Sequence, residues 1–229
     1  MLHKITFLTA CLSCQLGAQT ILMNFDDGAV AGQPETWNNF SSSDTGVLTS
    51  DLLDTSNAGT GIQLEITDAF FGTNTNGTTS ASAPYPAAAT GASFFDANSN
   101  WSNGSGNAQA VLAFSGLDVS KTYDFTFYAS RTAADDNRTT LYTLNGLNTN
   151  SGALDVANNV SDTVVVSGLI PTASGLITLT ITPHQDNDNS NQFIYLGVAE
   201  LAVIPEPSSF ALLSGLVGLA SVALCRRRS

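Results

Sequence analysis

The sequence predicts an all-β fold, a β-sandwich of the jelly-roll type, flanked by two targeting segments. Apolar and polar residues alternate with a period of two in several short runs, and Gly, Asn and Ser separate these runs. No window of the central region holds the apolar stripe of a helix, so we expect helices of a single turn at most. Short strands at regular spacing are typical of a sandwich, and residues 19–204 are long enough for eight or more strands.

Composition narrows the classes of function before any motif is considered. Only 11% of the 229 residues are charged, and the net charge is −12. A phosphate backbone needs a basic face, so nucleic acid is excluded as the expected partner. Coiled coils and long solvated helices need many Glu, Lys and Arg residues, so they are excluded as well.

The N-terminus has the pattern of a secretory signal peptide over residues 1–18. A short basic start at Lys4 is followed by an uncharged, mainly apolar stretch over residues 5–16 and by two small residues. This order predicts cleavage after Ala18. Two alternatives remain at this stage: a buried N-terminal helix, and lipidation at Cys11, whose preceding residues 8–10 resemble a lipoprotein box.

The C-terminus ends in a proline motif, an apolar segment and a basic cluster. The uncharged residues 210–225 would span roughly 24 Å as a helix, short of a hydrocarbon core of about 30 Å. Arginines at the end would hold it at the cytoplasmic face. The motif and the cluster comprise Pro205, Glu206, Pro207, Arg226, Arg227 and Arg228.

Residues 205–229 resemble the PEP-CTERM sorting signal of Gram-negative bacteria, with its three features in the same order. The resemblance implies an exosortase, a membrane protease, as processing partner, and an association with exopolysaccharide production. It also implies passage through the inner membrane by the C-terminal segment before processing. A plain C-terminal membrane anchor is the alternative, and both interpretations place the domain outside the inner membrane.

The domain between the two segments, residues 19–204, is more acidic than the whole chain. Its basic side chains are Lys121, Arg131 and Arg138, against 18 acidic ones, which gives a net charge of −15. It contains no cysteine, so disulfides, thiolate chemistry and Cys-ligated zinc are excluded. A Ser-His-Asp triad would have to use His184, which the sequence places in a loop.

Strand-like runs cover most of this domain, with one conspicuous gap. They lie at residues 21–25, 62–66, 110–114, 122–127, 140–144, 164–166, 177–182 and 193–204. The last run is apolar throughout except for Glu200, as expected of a strand covered on both faces. Residues 72–107 carry no strand pattern and predict a long loop that crosses one face of the sandwich, anchored by Phe94, Phe95 and Trp101.

Four segments of the domain resemble galactose-binding-like jelly rolls of secreted bacterial proteins. They are the turn and strand over 115–127, the run 136–142, the turn at 166–169 and the segment 195–197. The resemblance covers residues 108–204, and it implies the fold rather than a ligand.

Two groups of oxygen-bearing side chains suggest structural calcium. Asp186 and Asp188 begin an Asp- and Asn-rich run at 186–191, although Asn191 and Gly197 stand where an EF-hand needs Gly and Glu. A solvated hairpin loop is the alternative for this run. The jelly-roll resemblance implies a second site, where the first and last strands meet, from Asp26, Asp27 and Glu200.

Candidate ligand-binding residues are aromatic or cationic. Aromatic rings stack on the apolar face of a sugar, and the four candidates are Trp37, Tyr85, Trp101 and Tyr128. The alternative for each is a core or rim position. Arg131 and Arg138 flank an acidic stretch, where they form local ion pairs or contact an acidic sugar. The charge of the domain disfavours an anionic polysaccharide unless calcium bridges it.

Three classes of function follow. We expect an exported protein of the cell envelope or exopolysaccharide matrix, without catalysis. The alternative is a carbohydrate-binding module that recognises a matrix polysaccharide through the long loop and its aromatics. A lyase or glycosidase ranks last, because a glycosidase needs two facing carboxylates and no strand carries paired inward acids.

Overall fold

The computed structural model describes residues 19–26, 28–101 and 106–204. These residues form fourteen strands and one four-residue helix. In chain order the elements are β1 Thr20–Phe25, β2 Trp37–Phe40, β3 Leu48–Thr49, β4 Gln63–Asp68, β5 Gly72–Asn74, α1 Ala87–Thr90, β6 Ser93–Asp96, β7 Ala110–Ser115, β8 Thr122–Tyr128, β9 Thr139–Asn145, β10 Thr149–Asp155, β11 Val164–Leu169, β12 Ile177–Pro183, β13 Ile194–Leu196 and β14 Val198–Ile204. The predicted all-β sandwich is confirmed.

Two large sheets pack face to face. One has the strand order β11-β8-β14-β1-β2, and the other has the order β10-β9-β12-β7-β4-β3. Their inner faces meet through aromatic pairs: Phe125 of β8 packs edge-on against Phe114 of β7 at 5.1 Å between centroids, and Phe127 stacks on Tyr142 of β9 at 4.5 Å. All four side chains are buried, so this interface is the centre of the core.

The alternation of apolar and polar residues in the sequence correctly predicts which strand side chains are buried. In β12, Ile177, Leu179 and Ile181 are fully buried, whereas the intervening threonines are partly exposed. Successive strand residues point to opposite faces, so one face of the strand joins the core and the other meets solvent. The same pattern holds along β4, β7 and β8.

The segment 72–107 differs from its prediction, since it is not a strandless loop. It contains β5, α1 and β6, and β6 lies between β5 and β13 in a third sheet of three strands. The buried ring of Phe94 anchors this sheet to the core, 6.0 Å from the ring of Phe25. Strands of three and four residues are too short to show a period of two, so the sequence pattern missed them.

The run 193–204 is two strands, not the single predicted strand. Gly197 separates β13, in the three-stranded sheet, from β14, in the five-stranded sheet. A Cβ atom at Gly197 would lie 3.2 Å from the carbonyl oxygen of Tyr128 and 3.3 Å from that of Ala92. Glycine therefore allows the close backbone approach at which the chain changes sheets.

The predicted signal peptide, residues 1–18, and the predicted sorting segment, residues 205–229, lie outside the described residues, as does Asp27. The C-terminal hydrophobic helix expected from the sequence belongs to that segment. Within the described ranges the single helix has four residues, so no helix there is long enough to cross a bilayer.

Candidate ligand-binding cleft

A cleft of about 350 Å³ opens on the outer face of the three-stranded sheet. Phe94 of β6 points into the core, so its neighbour Phe95 points to the opposite face, where the cleft lies. Residues from four segments of the chain meet there, at 73–76, 95–101, 131–138 and 193–195. The lining residues are Thr73, Asn74, Thr75, Asn76, Phe95, Trp101, Arg131, Arg138, Phe193 and Tyr195.

Aromatic rings form one wall of the cleft around Trp101. The indole lies edge-on to Phe71 at 4.5 Å, to Phe95 at 5.5 Å and to Phe193 at 5.7 Å between centroids. Phe95 also stacks against Tyr195 at 6.2 Å, and these two residues are register partners in β6 and β13. Rigid neighbours hold each ring in place, which presents a preformed apolar surface of the kind that small-molecule sites use.

Arg138 lies across the edge of this wall with its guanidinium group already engaged. Its Nη1 donates to the phenol oxygen of Tyr195 at 2.6 Å, and its Nε donates to the carboxylate of Asp136 at 2.7 Å. The guanidinium carbon lies 4.9 Å from the ring centroid of Phe193, a cation–π distance. Only 12% of the side chain is exposed.

The pKa values of Asp136 and Tyr195 shift in opposite directions, because burial outweighs the effect of Arg138 on Tyr195. The hydrogen bond from Arg138 is the main cause that lowers the pKa of Asp136, and the amide of Asn189 adds to the effect. Burial raises the pKa of Tyr195, although the charges of Arg138 and Arg131 oppose that shift. At neutral pH the cleft is therefore lined by a charged Arg138 and a neutral Tyr195, with the ionised Asp136 behind Arg138 and outside the lining.

Arg131 also lines the cleft, and hydrogen bonds fix its backbone. Its N–H donates to the carbonyl of Val156 at 2.8 Å, and its own carbonyl accepts from the N–H of Asn158 at 2.8 Å. The side-chain Nη1 donates to the carbonyl oxygen of Thr132. Among the described residues the ion pairs of Lys and Arg are Lys121–Asp118 and Arg138–Asp136, so Arg131 belongs to none of them.

Residues 73–76 form a polar rim of the cleft. Thr132 fixes this segment, because its N–H and its hydroxyl both donate to the carbonyl of Asn76, at 2.7 and 2.9 Å. The amide of Asn74 donates to the hydroxyl of Ser93 in the adjacent strand at 3.4 Å. The cleft thus combines an apolar wall with amide, hydroxyl and guanidinium groups.

The Asp- and Asn-rich run supports the cleft from behind. Asn187 and Asn189 are buried, and the amide of Asn189 donates to the carboxylate of Asp136, which holds Arg138. The carbonyl of Ser190 accepts from the side chains of Asn98 and Asn100, just before Trp101. The run therefore braces both the cationic side and the aromatic side.

The acids of this run point away from its amides. Asp186 and Asp188 are exposed; Asp186 pairs with His184 at 3.3 Å, and Asp188 accepts from the N–H of Asn137 at 2.7 Å. Among the described residues, no three His, Cys, Asp or Glu side chains are grouped as a metal site would need. Calcium at this loop stays a prediction.

Asp26 and Glu200, two members of the other predicted calcium site, are not brought together. Glu200 pairs in register with Leu22, four residues before Asp26, which places them about 13 Å apart along the strands. Glu200 accepts a hydrogen bond from the hydroxyl of Tyr85 at 3.2 Å, and Asp26 accepts from the N–H of Gly28 at 2.6 Å. The third member, Asp27, lies outside the described residues.

The six predicted ligand-binding side chains divide between two places. Trp101, Arg131 and Arg138 lie together in the cleft, where ligand binding stays a prediction. The other three form a separate cluster on the outer face of the five-stranded sheet: Trp37, Tyr85 and Tyr128, with Trp37–Tyr85 and Tyr85–Tyr128 centroid distances of 5.9 Å.

Tyr128 corrects one of the sequence-based expectations. Its side chain is fully buried, its hydroxyl donates to the carbonyl of Val160 at 3.2 Å, and burial raises its pKa to about 12. The ring is therefore a packing element of that cluster and not an exposed platform for a sugar. The alternation along β8 ends at its last residues, where both faces of the strand are covered.

Sequence reasoning missed the other aromatic members of the cleft. Phe193 and Tyr195 belong to a run whose sequence pattern predicts a strand covered on both faces, and the sequence predicts Phe95 only as an anchor of a loop. The signal that could have identified them is the aromatic clustering at 94–95 and 193–195, on either side of the two arginines.

Fold and site together define an all-β sandwich with a preformed aromatic cleft and cationic side chains at its edges. No protein-family model and no curated protein sequence matches the chain. Among solved structures, the extracellular domain of ANXUR1 from Arabidopsis thaliana matches 82% of this chain at 12% identity and a TM-score of 0.45, over 49% of its own length.

The ANX2 ectodomain from the same plant gives the same identity, coverage of this chain and TM-score, over 50% of its length. The chain thus spans about half the length of these ectodomains. A structure of TmCBM61 in complex with β-1,4-galactotriose matches 62% of this chain at 10% identity and a TM-score of 0.29, over 82% of its own length.

Proposed function

We propose that this chain is an exported, non-catalytic protein of the cell envelope or exopolysaccharide matrix that binds carbohydrate in the aromatic cleft. The observation that carries the proposal is the aromatic wall around Trp101, which lines a cleft of about 350 Å³ together with hydrogen-bonding groups. Small-molecule sites have this size and this combination of a mainly apolar wall with a few converging polar groups.

A sugar ring matches both sides of such a cleft. One face of a pyranose carries C–H groups and packs on an aromatic ring, while its hydroxyls need donors and acceptors at the edge. Trp101 and Phe95 supply the apolar surface, and Asn74, Asn76 and Arg131 supply polar groups of the same cleft. Burial of the polar groups without a partner would be costly, which favours a hydroxylated ligand over a purely apolar one.

The residues that line the cleft also favour binding over hydrolysis. None of the described lining residues is an Asp or a Glu. Glycoside hydrolysis in most enzymes uses two carboxyl groups on either side of the bond to be broken. We therefore propose recognition without cleavage.

Export and sorting belong to the same proposal and rest on the two ends of the sequence. The signal-peptide pattern at 1–18 and the PEP-CTERM resemblance at 205–229 support secretion followed by exosortase processing. Replacing Glu206 with Gln, or deleting residues 226–228, should leave the protein unprocessed in the native host. Normal maturation of both variants on an immunoblot would contradict the sorting claim.

Binding is tested on the full chain with a glycan array, with and without calcium. We expect specific binding that disappears in Trp101→Ala and persists in Trp37→Phe, which changes the other tryptophan of the chain in the separate aromatic cluster. Silence of the native chain across the array would favour a structural matrix protein. Release of reducing ends from any matrix polysaccharide would overturn the non-catalytic assignment.

A further inference from the structure

The geometry points to an anionic sugar, a hexuronate, as the ligand of the cleft, with its carboxylate on the guanidinium group of Arg131. This inference rests on the proposed carbohydrate-binding function and narrows it to one chemical class. Sequence composition alone argued in the opposite direction, because the domain carries a net charge of −15.

The distribution of the few cations carries the inference. Residues 19–204 contain three Lys or Arg side chains against 18 acids, and two of the three, Arg131 and Arg138, line the same cleft. The third, Lys121, lies elsewhere and pairs with Asp118 at 3.6 Å. The cleft is therefore the place on this acidic domain where positive charge is concentrated, and no carboxylate is among its described lining residues.

The two arginines have different states. The guanidinium group of Arg138 already has partners, since Asp136 neutralises its charge and the hydroxyl of Tyr195 accepts its Nη1–H. Among the described residues Arg131 has no acidic partner. Its side chain donates a single hydrogen bond to them, to the carbonyl of Thr132. A guanidinium group has five N–H donors, so Arg131 keeps donors for a ligand.

A carboxylate is the group that best completes this arrangement. The planar fork of a guanidinium matches the two oxygens of a carboxylate and forms two parallel hydrogen bonds with it. The carboxylate of a hexuronate projects from the edge of the pyranose ring, so the apolar face can pack on Trp101 while the acid reaches the cationic edge. A neutral sugar would use the same wall but leave Arg131 without a counter-charge.

The acidic surface elsewhere does not prevent this contact. At physiological ionic strength the screening length is about 8 Å, so distant carboxylates act weakly on a ligand within the cleft. A hydrogen-bonded ion pair at contact distance inside a half-buried cleft is screened far less. Local charge therefore decides the selectivity, and the net charge of the domain mainly affects the rate of approach.

Isothermal titration of the full chain with matched oligosaccharides tests the inference. The probes are oligogalacturonates and oligoglucuronates of three to six residues, each with its carboxyl-reduced counterpart, which keeps the linkages and replaces the carboxylate by a hydroxymethyl group. We expect at least tenfold tighter binding of one uronate series than of its reduced form, consistent with hydrogen bonds to charged groups.

Arg131→Gln should reduce uronate affinity about tenfold and leave the affinity for the reduced form unchanged. Lys121→Gln is the matched control, because it removes the same charge far from the cleft, and it should change neither affinity. Arg131→Lys should recover only part of the loss, since an ammonium group cannot form the paired hydrogen bonds.

The outcomes separate the two proposals. Equal binding of acidic and reduced forms, or a preference for the acid that survives Arg131→Gln, would overturn the uronate inference and leave carbohydrate binding intact. Uronate binding that requires calcium and is abolished by EDTA would also overturn it, because the cation would then bridge the charges. Silence of the native chain toward every probe would overturn the uronate inference, and the glycan array would then decide whether carbohydrate binding stands.

Discussion

The guanidinium group of Arg138 donates a 2.6 Å hydrogen bond to the phenol oxygen of Tyr195, 57 residues further along the chain. Asp136 holds the same guanidinium from the opposite side, and the amide of Asn189 in turn donates to that carboxylate. This network connects the start of β9, the Asp- and Asn-rich run and β13. The position of the cleft's cationic edge therefore depends on contacts between parts of the chain that are distant in sequence.

A double-mutant cycle on Arg138→Met and Tyr195→Phe should measure a coupling energy of about 1–2 kcal/mol in the free energy of unfolding. Hydrogen bonds to charged groups contribute this much when they are shielded from water, and the Arg138 side chain is only 12% exposed. Urea denaturation provides the measurement. As a control, Arg138→Met combined with Tyr123→Phe should be additive, since the Tyr123 hydroxyl accepts from the N–H of Asp118 at a separate position. Additivity in both cycles would contradict the network.

Most strands of the two large sheets could be predicted because alternation along β4, β7, β8 and β12 reports directly which face is buried, whereas β2, β3 and β10 fall outside every predicted run. The third sheet could not be predicted. Its strands have three or four residues, and β13 is separated from β14 only by Gly197, which carries no signal of a change of sheet in an apolar run.

Residue type was enough to select three members of the cleft. Arg131 and Arg138 are rare cations in an acidic domain, and Trp101 is a large aromatic residue among Asn and Ser. Their juxtaposition depends on the pairing of β6 with β13, which places Phe95 beside Tyr195. Trp37, Tyr85 and Tyr128 are aromatic residues like those of the cleft, but they pack together on the outer face of the five-stranded sheet. Local sequence does not distinguish these two environments.

Acid should remove the contribution of the ionised Asp136 to the stability of the fold. The pKa of Asp136 is lowered from its ordinary value of 3.8, chiefly by Arg138. A carboxyl group whose pKa is lowered by folding stabilises the fold at pH values above its pKa in the unfolded chain. This contribution disappears as the pH falls through the pKa of the group in the folded chain. In Asp136→Asn, the melting temperature should therefore fall below that of the native chain at pH 7 and approach it below pH 3.8.

Calorimetric scans across this pH range provide the test. Asp54 and Asp118 also have lowered pKa values, so the native chain loses stability in acid for several reasons, and only the difference between the two curves reports on Asp136. Curves that remain parallel from neutral to acidic pH would contradict the role of the ionised Asp136.

The pKa of the buried carboxyl group of Asp96 is shifted in the opposite direction. It is 5% exposed, and burial together with the nearby charge of Asp68 raises its pKa, although the backbone N–H of Gln109 donates to it at 3.0 Å. A raised pKa means that the native chain gains stability as the pH falls through the folded pKa of this group. Asp96→Asn should therefore raise the melting temperature at pH 7, on the order of 2 °C, and the gain should vanish in acid.

Asp44→Asn is the matched control, since Asp44 is exposed and its change should leave the free energy of unfolding within about 0.5 kcal/mol. A lower melting temperature of Asp96→Asn at pH 7 would show that the hydrogen bond from Gln109 outweighs the burial of the charge.

Gly77 controls the rim of the cleft through a close backbone contact. A Cβ atom at this position would overlap the carbonyl oxygen of Thr90 and lie 2.8 Å from the carbonyl carbon of Gly91. The N–H of Gly77 donates to the carbonyl of Gly91 at 2.9 Å, and the preceding residue, Asn76, is the one fixed by Thr132. Gly77→Ala should therefore cost about 1–3 kcal/mol, since backbone on both sides must move.

Gly72→Ala supplies the comparison at the other end of the same rim, because nothing lies within 4 Å of a Cβ atom there. That variant should unfold within about 0.5 kcal/mol of the native chain. Urea denaturation of both variants, followed by titration with the oligosaccharide that the native chain binds, measures stability and the geometry of the rim separately. Equal stability of the two variants would contradict the close approach of residue 77 to residues 90–91, whereas a destabilised Gly77→Ala with reduced affinity would show that the position of the rim affects sugar binding.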